Sequence, residues 1–105
     1  MPTLPPKPDL AAFQTYVRAL EVERGFDRQT PIEKCLLLGE EVGELFKSVR
    51  KAQGLATDTQ TDVSPVAEEL ADVFILLLSV ANRHGVDLEQ AFRAKEVKNH
   101  SRSWK

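Results

Sequence analysis

Apolar residues recur at steps of three and four along most of the chain, which is the period of one helix face rather than the alternation of a strand. Leu10, Phe13, Val17 and Leu20 set this step between Asp9, placed to cap a helix, and Arg24, after which Gly25 ends the run. Thr30-Pro31-Ile32-Glu33 joins a capping residue, a proline at the first helical position and a glutamate at the third, and predicts a long second helix ending near Gln53 and Gly54. Ser64-Pro65, followed by Glu68 and Glu69, opens a third helix carrying Val66, Leu70, Val73, Phe74, Leu77, Leu78 and Ala81, with His84 as its C-cap before Gly85. Asp87 caps a fourth helix bearing Leu88, Ala91 and Phe92 and running toward Asn99. No segment alternates as a strand would, and no repeat is present. The expected fold class is all-α, a four-helix bundle.

Composition narrows the picture. Four of the six prolines fall in the first eight residues, so 1–8 reads as a flexible tail and 9–105 as a single domain, with a Thr- and Asp-rich loop at 55–63. A chain of 105 residues builds one core but not two lobes around a cleft, so a deep ligand pocket calls for a second copy. Fourteen basic against sixteen acidic side chains remove the global positive field that nucleic-acid or polybasic membrane binding relies on. The longest apolar run, 73–78, is far short of a membrane span, and no signal-type segment leads the chain. Cys35 is the only cysteine, which excludes an intrachain disulfide and a cysteine-rich zinc site. It reads as a small core residue. A cytoplasmic protein is expected.

The candidate chemistry lies in acidic pairs. Glu41 and Glu44 on the second helix, and Glu69 and Asp72 on the third, are each three residues apart and so share a helix face. Both pairs border leucines and isoleucine rather than purely polar residues. A carboxylate brought toward an apolar surface must take up a proton or find a cation. A hard divalent ion such as Mg²⁺ or Mn²⁺, which takes oxygen ligands and recruits phosphates, answers all four at once. A ferritin-like iron site is disfavoured, since neither His84 nor His100 follows a glutamate at the Glu-x-x-His offset. The charge along the chain is segregated as well: 40–44 and 68–72 are acidic, whereas Arg93, Lys95, Lys98, Arg102 and Lys105 make the end basic.

The motifs Glu40-Glu41-Val42-Gly43-Glu44 and Glu69-Leu70-Ala71-Asp72, in that order and followed by Lys95, Lys98-Asn99 and Arg102, resemble the MazG family of all-α nucleoside triphosphate pyrophosphohydrolases. The likeness runs from about Phe13 to Arg102. It implies a four-helix MazG-like bundle that oligomerises as a homodimer or a tetramer of two dimers. It also implies Mg²⁺-dependent cleavage of a nucleoside or deoxynucleoside triphosphate between the α and β phosphates, giving the monophosphate and pyrophosphate, as nucleotide-pool house-cleaning. Carried over by position, Glu41, Glu44, Glu69 and Asp72 would hold Mg²⁺, with Mn²⁺ as a substitute, and Glu40 would orient or deprotonate the attacking water. Lys95, Lys98, Asn99 and Arg102 would meet the substrate. The alternative is a non-catalytic helical module whose acidic face binds metal or serves oligomerisation.

Other features read more plainly. Lys47, Arg50 and Lys51 are expected as solvated charges answering the helix dipole, and Trp104 as a frayed terminal residue or a subunit contact. Positions that read the base are expected on the first helix or in the 25–30 and 54–63 connections.

Overall fold

The helix ends are set by local signals in the computed structural model, which describes residues 1–54 and 65–102. Asp9 accepts a hydrogen bond from the Ala12 amide at 2.8 Å and starts α1, Leu10–Arg24. Gly25 closes it at φ 75°, a left-handed conformation that glycine reaches without a Cβ penalty. Thr30 and Glu33 form a complete capping box, each side chain bonded to the other's backbone amide at 3.1 Å, ahead of α2, Pro31–Ala52. Helix α3, Val66–Arg83, has Pro65 at its N-cap position, with no side-chain cap, and His84 as the expected C-cap. Asp87 accepts from the Gln90 amide at 2.9 Å and starts α4, Leu88–His100. The expected loop at 55–63, Ser64, Trp104 and Lys105 lie outside the described residues.

The described residues contain four helices and no strand, so the all-α expectation holds. Helix α3 is the centre of the arrangement: α2 packs along it, α1 packs on it, and α4 packs against α1. Val17, Leu20 and Leu78 form the core, each at most 4% exposed, with Phe13, Tyr16, Phe74 and Leu88 against them. Phe13 and Phe74 meet edge to face at 5.3 Å between ring centroids. Each such side chain stabilises the fold by about 1.5–3 kcal/mol through removal from water.

A polar clamp fixes where α4 begins. The Gln14 side chain donates to the Val86 carbonyl at 2.8 Å and to Asn82 Oδ1 at 3.1 Å, and accepts from the Leu88 amide at 3.0 Å. Asn82 returns a bond to the Gln14 carbonyl at 2.9 Å. Buried polar groups satisfied in this way specify one docking of the helix pair, since any shift leaves donors unpaired.

One expectation is corrected. Cys35 is exposed, not a core residue. The inward stripe of α2 runs through Lys34, Leu37, Leu38, Glu41, Leu45 and Ser48, and Cys35 is turned about 100° from Lys34. The opposite face leaves Ile32, Leu36 and Phe46 largely exposed, the last at 69%. Among the described residues no helix is long and apolar enough to cross a membrane.

The capping box yields a direct test. Thr30→Ala is expected to lower the unfolding free energy by about 1 kcal/mol, read from the urea midpoint, because the Glu33 amide loses its acceptor at the start of α2.

Candidate metal centre

Antiparallel packing of α2 on α3 brings the two acidic motifs face to face. One carboxylate oxygen each from Glu41, Glu69 and Asp72 lies within 4.8 Å of the others. Their environments are graded: Glu69 is buried at 5% exposure, Glu41 is half-buried and Asp72 faces solvent. Burial, the hydrogen bond with Glu69 and the charges of Asp72, Glu69 and Glu44 push the Glu41 carboxyl above its ordinary value. Glu69 Oε2 is buried and has no hydrogen-bond partner. A buried carboxylate oxygen left unpaired costs several kcal/mol unless a cation compensates it. The donor set is all oxygen, hard, and open on the Asp72 side, which fits Mg²⁺ or Mn²⁺ with waters and phosphate oxygens completing the shell.

Glu44 stands outside this close trio, though its charge reaches Glu41. Glu40 is exposed and borders a separate shallow groove with Gln29, Glu33, Leu36 and Leu37. Lys95, Lys98, Asn99 and Arg102 are on α4 or immediately after it. That helix packs on α1, whereas the carboxylates stand where α2 packs along α3. Lys95 and Lys98 are exposed, and Asn99 donates to Glu96 Oε2 at 2.8 Å.

A cavity of about 240 Å³ opens beside the trio, with Glu41 on its rim. Its walls are largely apolar, built from Leu20, Phe26, Leu37, Ile75 and Leu76. Glu21, Lys34 and Ser79 line it as well and belong to an ion cluster that the residue pattern alone did not reveal. Glu21, 4% exposed, accepts from Arg83 Nη1 at 3.0 Å and Ser79 Oγ at 2.9 Å, and pairs with Lys34 Nζ at 3.2 Å. Burial alone would raise the Glu21 carboxyl, but the bonds from Arg83, Ser79 and Lys34 outweigh it and hold it below 4.5. Lys34 Nζ also sits 5.1 Å from the centroid of the Phe26 ring. The available signal was positional: continuing the step from Phe13 and Val17 puts an acid, Glu21, on the apolar stripe of α1.

Comparison with known proteins agrees with this geometry. Residues 29–105 match the model of the MazG nucleotide pyrophosphohydrolase domain. A dATP/dGTP diphosphohydrolase of Cyanophage S-2L is 42% identical over 65 residues, 62% of this chain, and the match spans half the length of that relative. The solved structure of a Cyanophage S-2L MazG-like pyrophosphohydrolase bound to dGDP and three catalytic Mn²⁺ ions per active site superposes with a TM-score of 0.70. It is 34% identical, and the superposition covers 94% of this chain and 85% of that one. The iMazG protein of Vibrio DAT 722 superposes with a TM-score of 0.63 at 31% identity, covering 92% of this chain and 99% of its own. With the match reaching across α2, α3 and α4, the chain belongs to the MazG nucleotide pyrophosphohydrolase domain family.

Proposed function

We propose that this chain is a Mg²⁺-dependent nucleoside triphosphate pyrophosphohydrolase, cleaving between the α and β phosphates to release a monophosphate and pyrophosphate. The observation that carries the reading is the convergence of Glu41, Glu69 and Asp72 around a buried, unpartnered carboxylate oxygen. In this reading Glu41, Glu44, Glu69 and Asp72 hold the metal, and Mn²⁺ can substitute for Mg²⁺. Such an ion polarises the phosphoryl group and lowers the pKa of a bound water. Glu40 orients or deprotonates the attacking water. Lys95, Lys98, Asn99 and Arg102 neutralise phosphate oxygens and the leaving pyrophosphate, as electrostatic stabilisation of phosphoryl transfer requires. The apolar cavity beside Glu41 receives the base, in keeping with base-reading positions on α1 and in the 25–30 connection.

Self-association completes the site. In this reading the four α4 residues meet the carboxylate centre of another subunit, and the working form is a homodimer or a tetramer of two dimers. The exposed Ile32, Leu36, Phe46 and Phe92 offer apolar surface for it. Residues 9–105 act as one domain behind the 1–8 tail, in the cytoplasm, on free nucleotides rather than nucleic acid or membrane.

The test is pyrophosphate release from a panel of ribo- and deoxyribonucleoside triphosphates with Mg²⁺. Release of pyrophosphate, not orthophosphate, from at least one is expected; none from any at high protein concentration would sink the reading. Metal alone gives a second readout. Mg²⁺ at about a hundred times its dissociation constant is expected to stabilise the fold by about 2.7 kcal/mol, seen as a raised Tm that chelator reverses. A non-catalytic metal-binding module would show the Tm shift without the release.

A further inference from the structure

The connection between α1 and α2 forms part of the cavity wall through Phe26 and Gln29, yet little within it holds it in place. Phe26 donates its amide to the Glu21 carbonyl at 2.8 Å, and Gln29 donates its own to the Phe26 carbonyl at 3.1 Å. The firmer hold comes from the far end of α3. Arg83 Nη2 donates to the Phe26 carbonyl and Nε to the Gln29 carbonyl, both at 2.8 Å. Its remaining nitrogen, Nη1, bonds Glu21 Oε1 at 3.0 Å, Ser79 Oγ at 2.6 Å and, more weakly, the Ser79 carbonyl at 3.3 Å. Every nitrogen of the guanidinium is engaged, and the planar fork spans α1, α3 and the turn at once. Lys34 holds the Phe26 ring from α2 in the same cluster.

We propose that Arg83 is a positioning residue for nucleotide binding, holding the 26–29 turn as the wall of the cavity beside Glu41 and so setting substrate affinity rather than the rate of the chemical step. The inference rests on the reading of that cavity as the site of the base. A wall fixed before the nucleotide arrives spares the ordering cost of building it on binding, which is how preorganisation raises affinity. Arg83 is eleven residues beyond Asp72 on α3, about 16 Å along the helix axis, so its loss leaves the carboxylate trio undisturbed. Lysine keeps the charge opposite Glu21, but one ammonium cannot bridge both carbonyls as well.

Steady-state kinetics of full-length R83K provide the test, using the most rapidly cleaved triphosphate. KM is expected to rise on the order of tenfold while kcat stays within about twofold. Inhibition by inorganic tripolyphosphate, which has no base, should be unchanged. Phe26→Ala should raise KM similarly, and R83K with F26A should be no worse than F26A alone, since both act through the same wall. A fall in kcat at constant KM, a parallel weakening of tripolyphosphate, additive effects in the double variant, or a lowered Tm with unaltered KM would each overturn the proposal. Should the wild type release no pyrophosphate, the enzymatic reading fails separately. Nucleoside titration then decides: amide resonances of residues 26 and 29 that shift in the wild type and not in R83K uphold Arg83's role, and a wild type without such shifts overturns it.

Discussion

Glu41→Gln or Asp72→Asn is expected to remove Mg²⁺-dependent pyrophosphate release, by at least about a hundredfold in kcat/KM, with the helical circular dichroism unchanged. Either change replaces one of three carboxylates whose oxygens converge within 4.8 Å, and a neutral amide no longer offsets the charge of a hard cation. The apo fold should not suffer. Burial first, and then the neighbouring Glu69, Asp72 and Glu44, already disfavour the charged Glu41 carboxylate in the free trio, so removing one charge does not weaken it. Loss of activity together with loss of the Mg²⁺-induced rise in Tm would place both residues at the metal. Full activity in both variants would remove the assignment.

The largest effect on stability is expected at Glu21. Replacing it by Ala leaves buried Lys34 and half-buried Arg83 without their counter-charge, and breaking a buried pair from one side costs about 3–5 kcal/mol. Urea unfolding of the variant would show it; a change below about 1 kcal/mol would mean that water or other groups take over. The same cluster predicts a pH limit. The folded Glu21 carboxyl lies below its ordinary value of 4.5, so its contribution is fully present above that value and is lost as pH falls through the lower folded value. Wild-type stability should therefore decline below about pH 4.5, and Glu21→Gln should flatten part of that decline.

Much of this was readable because the relevant physics is local. Asp9, Thr30 with Glu33, and Asp87 act on amides within three residues, so their capping bonds could be named before any packing was known. The paired offsets of Glu41 with Glu44 and of Glu69 with Asp72 likewise follow from helix geometry alone. What escaped depends on rotation and neighbours. A single step around α2 separates buried Lys34 from exposed Cys35, and the inward stripe is decided by what α1 and α3 present, here the Glu21 carboxylate. Glu44 keeps the motif spacing but is exposed and stands outside the close trio. Arg83 closes its helix as an ordinary last-turn cation would; its role emerges only where the 26–29 turn folds back onto it.

The facing helices also determine which changes of chain length the protein can absorb. Each residue of α-helix turns the chain by about 100°. One residue inserted between Thr30 and Glu41, or between Pro65 and Glu69, would therefore swing a carboxylate off the shared face while leaving every ligand in the gene. Residues added between Gly54 and Pro65 alter neither helix's phase. Length variation among natural homologues should thus concentrate in that connection and be nearly absent from the two stretches leading to the acids.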